Sequence, residues 1–316
     1  MHHRDEPYLH ARYRVAPYMG IFPLDSCGVD PWDIYNRINE YSRRSLTHQT
    51  DILKGILGIF RTFERGKNSM RHLYGIPFPQ MAKSSPNEST YETNSKRKMP
   101  LFSESLRWTL KEPSERREGF PSWSWTGWFG EIEWPAEYTG AAFPHRTPRR
   151  IERPRDPKVN ENAIQVAIEL LSGDTINWET FQARYPELLT FSELSGIIHL
   201  EAYTTPAAYL NEHGGSKMNL CLRCENGQFT TLLVERTTKH EFELHDPLLA
   251  IHFYRTVSED QEKGSQKAPK RKTVTVKQHL LVIQDMGSHW ERVASGTYVI
   301  DPRKKLDCIW QRLQLG

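Results

Sequence analysis

Cysteine is scarce in this chain: the 316 residues hold four, Cys27, Cys221, Cys224 and Cys308. Cysteines so few and so scattered cannot staple a chain of this length, which excludes a disulfide-built fold and points to a reducing compartment. No stretch approaches the roughly 18 to 20 consecutive apolar residues of a membrane span. The opening MHHRDEPYLHARYR also lacks the apolar core of a signal peptide, so a cytoplasmic protein without a membrane span is expected. An excess of either charge is missing too. The 42 Lys and Arg against 39 Asp and Glu leave +3, which excludes a dedicated phosphate-tracking surface and hence a specific nucleic-acid partner. The glycine signatures G-x-x-x-x-G-K-[ST] and G-x-G-x-x-G are absent, as is the nucleophile elbow G-x-S-x-G, which removes the commonest nucleotide-binding and serine-hydrolase readings.

Tryptophan, by contrast, is concentrated. Four of nine lie in FPSWSWTGWFGEIEW, Phe120 to Trp134, and Trp108 stands just upstream. Strand alternation would place Trp123 and Trp125 on one face, with Ser122 and Ser124 opposite. Gly127 breaks the pattern before Trp128, and a second run sets Ile132 and Trp134 against Glu131 and Glu133. The segment is therefore expected to form two short strands joined by a glycine bend. Buried, these indoles would anchor a core. Exposed, they would form a platform for sugar rings or bases, or a protein-binding surface.

Asp30-Pro31-Trp32-Asp33 predicts a helix start, with Asp30 capping and Pro31 at the first helical position. Around Asp51 a second helix is expected, because Ile52, Leu53, Ile56, Leu57, Phe60 and Phe63 share one face. Residues 82–99 read as a polar exposed insertion, and 144–158, rich in Pro and Arg, as a linker or surface loop. A helix is predicted from Ala163 to Leu171, stopped by Gly173. The last third reads as strand: Ile197 to Tyr203, a hairpin about Asn226-Gly227, another about Gly287, and a terminal element with Trp310. Between these, Ser258 to Lys272 reads as a charged loop. The expected fold class is α+β, with a helical region at 1–112 packed on a β-rich, mainly antiparallel region at 113–316.

Little in the chain points to chemistry. Cys221 and Cys224 have C-x-x-C spacing, but on a strand Leu220, Leu222 and Cys224 face inward while Cys221 faces out, so the sulfurs diverge. His240, His245 and His252 lack the i, i+4 spacing of a helical metal site. Neither a metal nor a cofactor is expected. Glu131 and Glu133, beside tryptophans, are the pair a glycosidase would use; alternating carboxylates on the wet face of a strand give the same pattern. Lys96-Arg97-Lys98 and Lys270-Arg271-Lys272 read as solvated loop charge.

Four segments together, YSRRSLTHQTDILKGILGIF from Tyr41, HLYGIPF from His72, SLRWTL from Ser105 and FPSWSWTGW from Phe120, resemble the fungal heterokaryon-incompatibility (HET) proteins in order and spacing. The resemblance covers about 30–134. Its motif residues are Asp51, Gly75, Pro77, Trp108, Trp123, Trp125, Gly127 and Trp128. It implies a role in fungal self/non-self recognition and programmed cell death, carried out with protein partners. The signalling module that opens such proteins has no counterpart here, so the chain is expected to be a non-catalytic, regulatory or partner-binding region from downstream of it, as in a truncated form. The alternative is a carbohydrate-binding module or glycoside hydrolase that uses a tryptophan platform with Glu131 and Glu133.

Overall fold

The computed structural model describes residues 31–65, 69–80, 102–135, 164–188, 193–243, 246–261, 272–299 and 305–316. Helix α1, Asp33–Ser42, turns Ile34, Tyr35, Ile38 and Tyr41 inward at helical spacing. Its first turn is closed by backbone bonds from Ile34 to Pro31 and from Tyr35 to Trp32, and the Trp32 side chain does not cap it. The expected capping role of Asp30 lies outside the described residues. The helix predicted around Asp51 is broken in its first half into two 3-10 turns, Gln49–Asp51 and Lys54–Ile56. It becomes regular only as α2, Leu57–Glu64. The predicted apolar face is nevertheless the buried one, through Ile52, Leu53, Ile56, Phe60 and Phe63.

Strands β1, Met70–Leu73, and β2, Ile76–Pro79, form a hairpin whose turn residues Tyr74 and Gly75 have φ of 48° and 89°. Two positive φ angles in succession are the mark of a tight type I′ turn. Helix α3, Phe102–Ser105, leads into β3, Thr109–Leu110, which pairs with β4, Ile132–Glu133.

The segment predicted as a helix from Ala163 to Leu171 is a strand. β5, Gln165–Leu170, pairs with β6, Thr175–Asn177, through a turn at Gly173, and with β7, Leu194–His213. Val166, Ile168 and Leu170 recur every second residue, and the open ladder of β7 decides between the two periods. A helix absent from the sequence reading, α4, Trp178–Leu188, follows and buries Phe181 and Tyr185. Next come β8, Lys217–Arg223, β9, Phe229–Arg236, β10, Pro247–Gln261, β11, Lys272–Asp285, β12, Trp290–Val299, and β13, Ile309–Leu315. The hairpins expected at Asn226-Gly227 and Gly287 join β8 to β9 and β11 to β12. The charged loop predicted over Ser258 to Lys272 is shorter than expected, because Ser258 to Gln261 pair with Thr275 to Lys272 and extend the strands. Its middle, like 82–99 and 144–158, lies outside the described residues.

Strands β7, β8, β9, β12, β11 and β10 pair in that order, and β10 returns to β7 through Pro247↔Ala208 to Ile251↔Thr204. The sheet thus closes into an antiparallel barrel, which leaves these strands few open edges. Alternation fills the interior with Met218, Leu220, Leu222, Leu232, Val234, Leu248, Ala250, Leu280 and Val282. Their neighbours Ile251, Leu281 and Ile283 face outward, into a second and larger core. That core also takes Ile34, Phe60, Phe78, the five tryptophans 108 to 134, and Leu200, Leu313 and Leu315. Strands β10 and β11 are covered on both sides, which accounts for the unbroken apolar runs Leu248 to Ile251 and Leu280 to Ile283. The molecule is α+β with a mostly antiparallel sheet.

Candidate functional site

The four segments that carry the resemblance meet at one place, the turn from Ser122 to Trp128. This turn is not the predicted strand: Trp125–Gly127 is a 3-10 turn, capped by the Ser124 hydroxyl, which accepts from the Thr126 N–H at 3.1 Å. Regular pairing begins only at Ile132. Tryptophans 123, 125 and 128 are therefore not set out by strand alternation, and all are buried, as are Trp108 and Trp134.

Each of these five indoles donates its N–H to a backbone carbonyl. Trp125 reaches Gly75 at 2.7 Å, Trp123 reaches Gly196 at 2.9 Å, and Trp128 reaches Ser122 at 2.8 Å. Trp108 reaches Trp123 at 3.1 Å, and Trp134 reaches Ser105 at 3.0 Å. An indole can be buried this deeply at little cost because its one polar group is paired. The hairpin at Tyr74 is held from the same turn, since Ser124 and Thr126 both donate their hydroxyls to the Tyr74 carbonyl.

Three arginines complete the cluster, and the sequence reading missed them. Arg117 donates to the carbonyls of Thr126 at 2.7 Å and Trp128 at 2.5 Å, and reaches Gln49 at 3.2 Å. Arg116 donates to Gly127 at 2.6 Å and Phe120 at 2.9 Å, with Glu291 at 3.7 Å. Arg292, fully buried on β12, lies 3.6 Å over the Trp108 ring. It donates to the carbonyls of Leu106, at 2.8 Å, and Trp108, and to Ser295 at 3.0 Å. Burial pulls all three guanidinium groups below their ordinary range, Arg117 to about 10. Each also lies over an aromatic ring, Arg116 over Trp128, Arg117 over Phe129 and Arg292 over Trp108, and for Arg117 and Arg292 carbonyl dipoles take the place that Glu291 fills for Arg116. The available signal was the pair Arg116-Arg117 immediately before the tryptophans; Arg292, about 170 residues further on, gave none.

The other motif residues fall in two groups. Gly75 and Gly127 belong to the cluster. A Cβ on Gly75 would stand 2.9 Å from Thr126 and 3.0 Å from the Trp125 nitrogen; one on Gly127 would meet the Pro121 carbonyl oxygen at 2.3 Å. Pro77 is buried in β2 opposite His72. Asp51 is different: it sits in the 3-10 turn paired with Lys54 at 3.4 Å, half exposed, and the structure does not bring it into hydrogen bonding with the tryptophan turn.

The aromatic platform that a sugar-binding reading requires is not formed, because no face of Trp108, Trp123, Trp125, Trp128 or Trp134 is open. Glu131 and Glu133 do share a face, but they share Lys111 as well. Its ammonium lies 2.5 Å from Glu131 and 3.4 Å from Glu133, and Arg43 adds a 2.6 Å bond to Glu131. The two carboxylates raise the Lys111 pKa, Glu131 first.

Cys221 and Cys224 diverge as expected, Cys224 into the barrel and Cys221 onto its outer face, where partial burial pushes the thiol up. His240 is exposed and His252 lies on β10, while His245 is outside the described residues. Lys96 to Lys98 are outside them as well. Among the described residues no three His, Cys, Asp or Glu side chains are grouped closely enough to hold a metal ion. No described helix is long and apolar enough to cross a membrane.

An open cleft of about 610 Å³ lies where the tip of the β11–β12 hairpin approaches β13. His199, Asp285, Ser288, His289 and Arg312 line it. His199 is bound to Glu169 at 2.8 Å, and His289 to the Ser288 hydroxyl at 2.9 Å, so both imidazoles already have partners. Comparison of the chain with protein-family models, curated proteins and solved structures found no match.

Proposed function

We propose that this chain is a non-catalytic, partner-binding region of a HET-type fungal recognition protein, acting in the cytoplasm in the control of programmed cell death. One observation carries the reading. The segments that resemble the family, spread over almost ninety residues, converge on one hydrogen-bonded turn: Tyr41 packs on Trp125, Gly75 accepts from Trp125, Trp108 donates to Trp123, and Gln49 accepts from Arg117. Motif residues that serve an active site would leave polar atoms open toward a substrate. The five indoles, Ser124 and Thr126 close on one another and on the backbone, as residues do when their task is to hold a fold, while Asp51 stands apart and the Tyr41 hydroxyl is buried without a hydrogen-bond partner among the described residues. The function then belongs to the surface that the motif supports, and its ligand is another protein.

The test is expression of the chain in a filamentous fungus that lacks it, with death of fused hyphal compartments scored by dye uptake. The expected outcome is a changed frequency of death in fusions, and no change in hyphae that do not fuse. An unchanged frequency, or hydrolysis of an oligosaccharide by the purified chain, contradicts the proposal.

A further inference from the structure

Strand β7 changes partner along one edge. From Ile198 to Thr204 it pairs with β13, and from Thr204 to Ala208 with β10. At this handover the residue just before β13, Cys308, and a residue just past the paired part of β10, His252, are brought together. Cys308 Sγ lies 3.6 Å from His252 Nε2, and the Thr205 hydroxyl of β7 is 2.8 Å from that nitrogen and 3.4 Å from the sulfur. Cys308 is exposed, whereas Cys221 is half-buried and Cys224 is buried in the barrel.

We infer that Cys308, with His252 as its base and Thr205 as a second donor, is a reactive thiol that hydroperoxides oxidise to the sulfenic acid. Proton transfer to an imidazole creates a thiolate beside an imidazolium, and the thiolate is the nucleophilic form. After the transfer, Nε2–H and the Thr205 hydroxyl both donate toward the sulfur. The neighbouring carboxylate, Asp307, would oppose a thiolate, but it is held by Arg223 at 3.1 Å.

The step balances as follows. The Cys308 thiol gives its proton to His252, and the sulfur attacks one oxygen of the peroxide. The S–O bond forms as the O–O bond breaks. The oxygen attacked is the one that bears hydrogen, sulfur loses two electrons, and the leaving alkoxide, or hydroxide from hydrogen peroxide, takes the proton back from His252 as an alcohol or as water. A small thiol reductant restores the free cysteine. The carbon skeleton of the hydroperoxide is not specified by this geometry, since the site is open to solvent.

The experiment uses the full chain treated with hydrogen peroxide and a cyclic 1,3-dione that traps sulfenic acid, each cysteine being quantified by peptide mass spectrometry. Cys308 is expected to be trapped at least about tenfold faster than Cys221 near neutral pH. Its pH–rate midpoint should lie at least one unit below the ~8.5 of a free thiol. His252→Asn should slow trapping at Cys308 about tenfold and return the midpoint toward that of a free thiol. Unchanged reactivity in this variant overturns the inference. So does a Cys308 midpoint equal to that of Cys221 in the unmodified chain, a comparison that stands even if the variant fails to fold.

Discussion

Two histidines show how far burial decides a charge. His72 of β1 is buried and accepts the Gly75 N–H on Nδ1 at 3.4 Å. His279 of β11 has Arg107 at 3.0 Å from Nε2 and Thr297 at 2.6 Å from Nδ1. A guanidinium can only donate, so Nε2 of His279 accepts and its proton sits on Nδ1. Desolvation lowers both imidazoles from 6.5 to about 3, helped in His279 by Arg107 and Lys277. The unfolded chain takes up these protons near pH 6.5 and the folded chain does not. Stability is therefore complete above that pH and is lost as the pH falls toward 3. Each group costs up to about 1.4 kcal/mol per pH unit in that window. The double variant His72→Gln, His279→Gln should lose stability less steeply between pH 7 and pH 4.5 in urea melts. A slope equal to that of the unmodified chain would contradict this account.

At the scale of elements, the tryptophan turn is a short irregular segment held by contacts distant in sequence. Trp125→Ala would remove a buried indole and its bond to Gly75, at a cost of roughly 3 to 5 kcal/mol. A loss below about 1 kcal/mol in denaturant melts would mean that the turn does not depend on it. This element also marks where sequence reading stops. Ser-Trp-Ser-Trp alternates as a strand does, but the Ser124 hydroxyl capping Thr126, with Arg116 and Arg117 taking the carbonyls of Gly127, Thr126 and Trp128, holds the segment as a 3-10 turn. β5 was hidden for a related reason, since its short apolar run fits both periods and β7 settles the matter from outside. The hairpins at Gly227 and Gly287 were legible because turn chemistry is local, as was the buried face from Ile52 to Phe63. The bulk of the tryptophans left core and platform both open, and their carbonyl partners, spread from Gly75 to Gly196, were not in any window.

Across the whole molecule, the helical elements and the outer face of the barrel share one apolar core, with Ile251, Leu281 and Ile283 contributed by the barrel wall. A shared core should melt as a unit. Tryptophan fluorescence reports on the motif and far-ultraviolet dichroism on the strands, so their urea transitions are expected to coincide in midpoint and steepness. Two separated transitions would show that the motif and the barrel are independent.

The Ser122 backbone N–H donates to Gly316 at 2.8 Å, and the Ser122 hydroxyl accepts from the Arg292 N–H at 3.0 Å. The motif is translated before the strands that complete it. On the ribosome its five indoles have no finished core to enter until β12 and β13 have emerged. During that interval the nascent chain exposes its most adhesive segment, so its yield in a cell should follow the supply of chaperones more closely than its final stability.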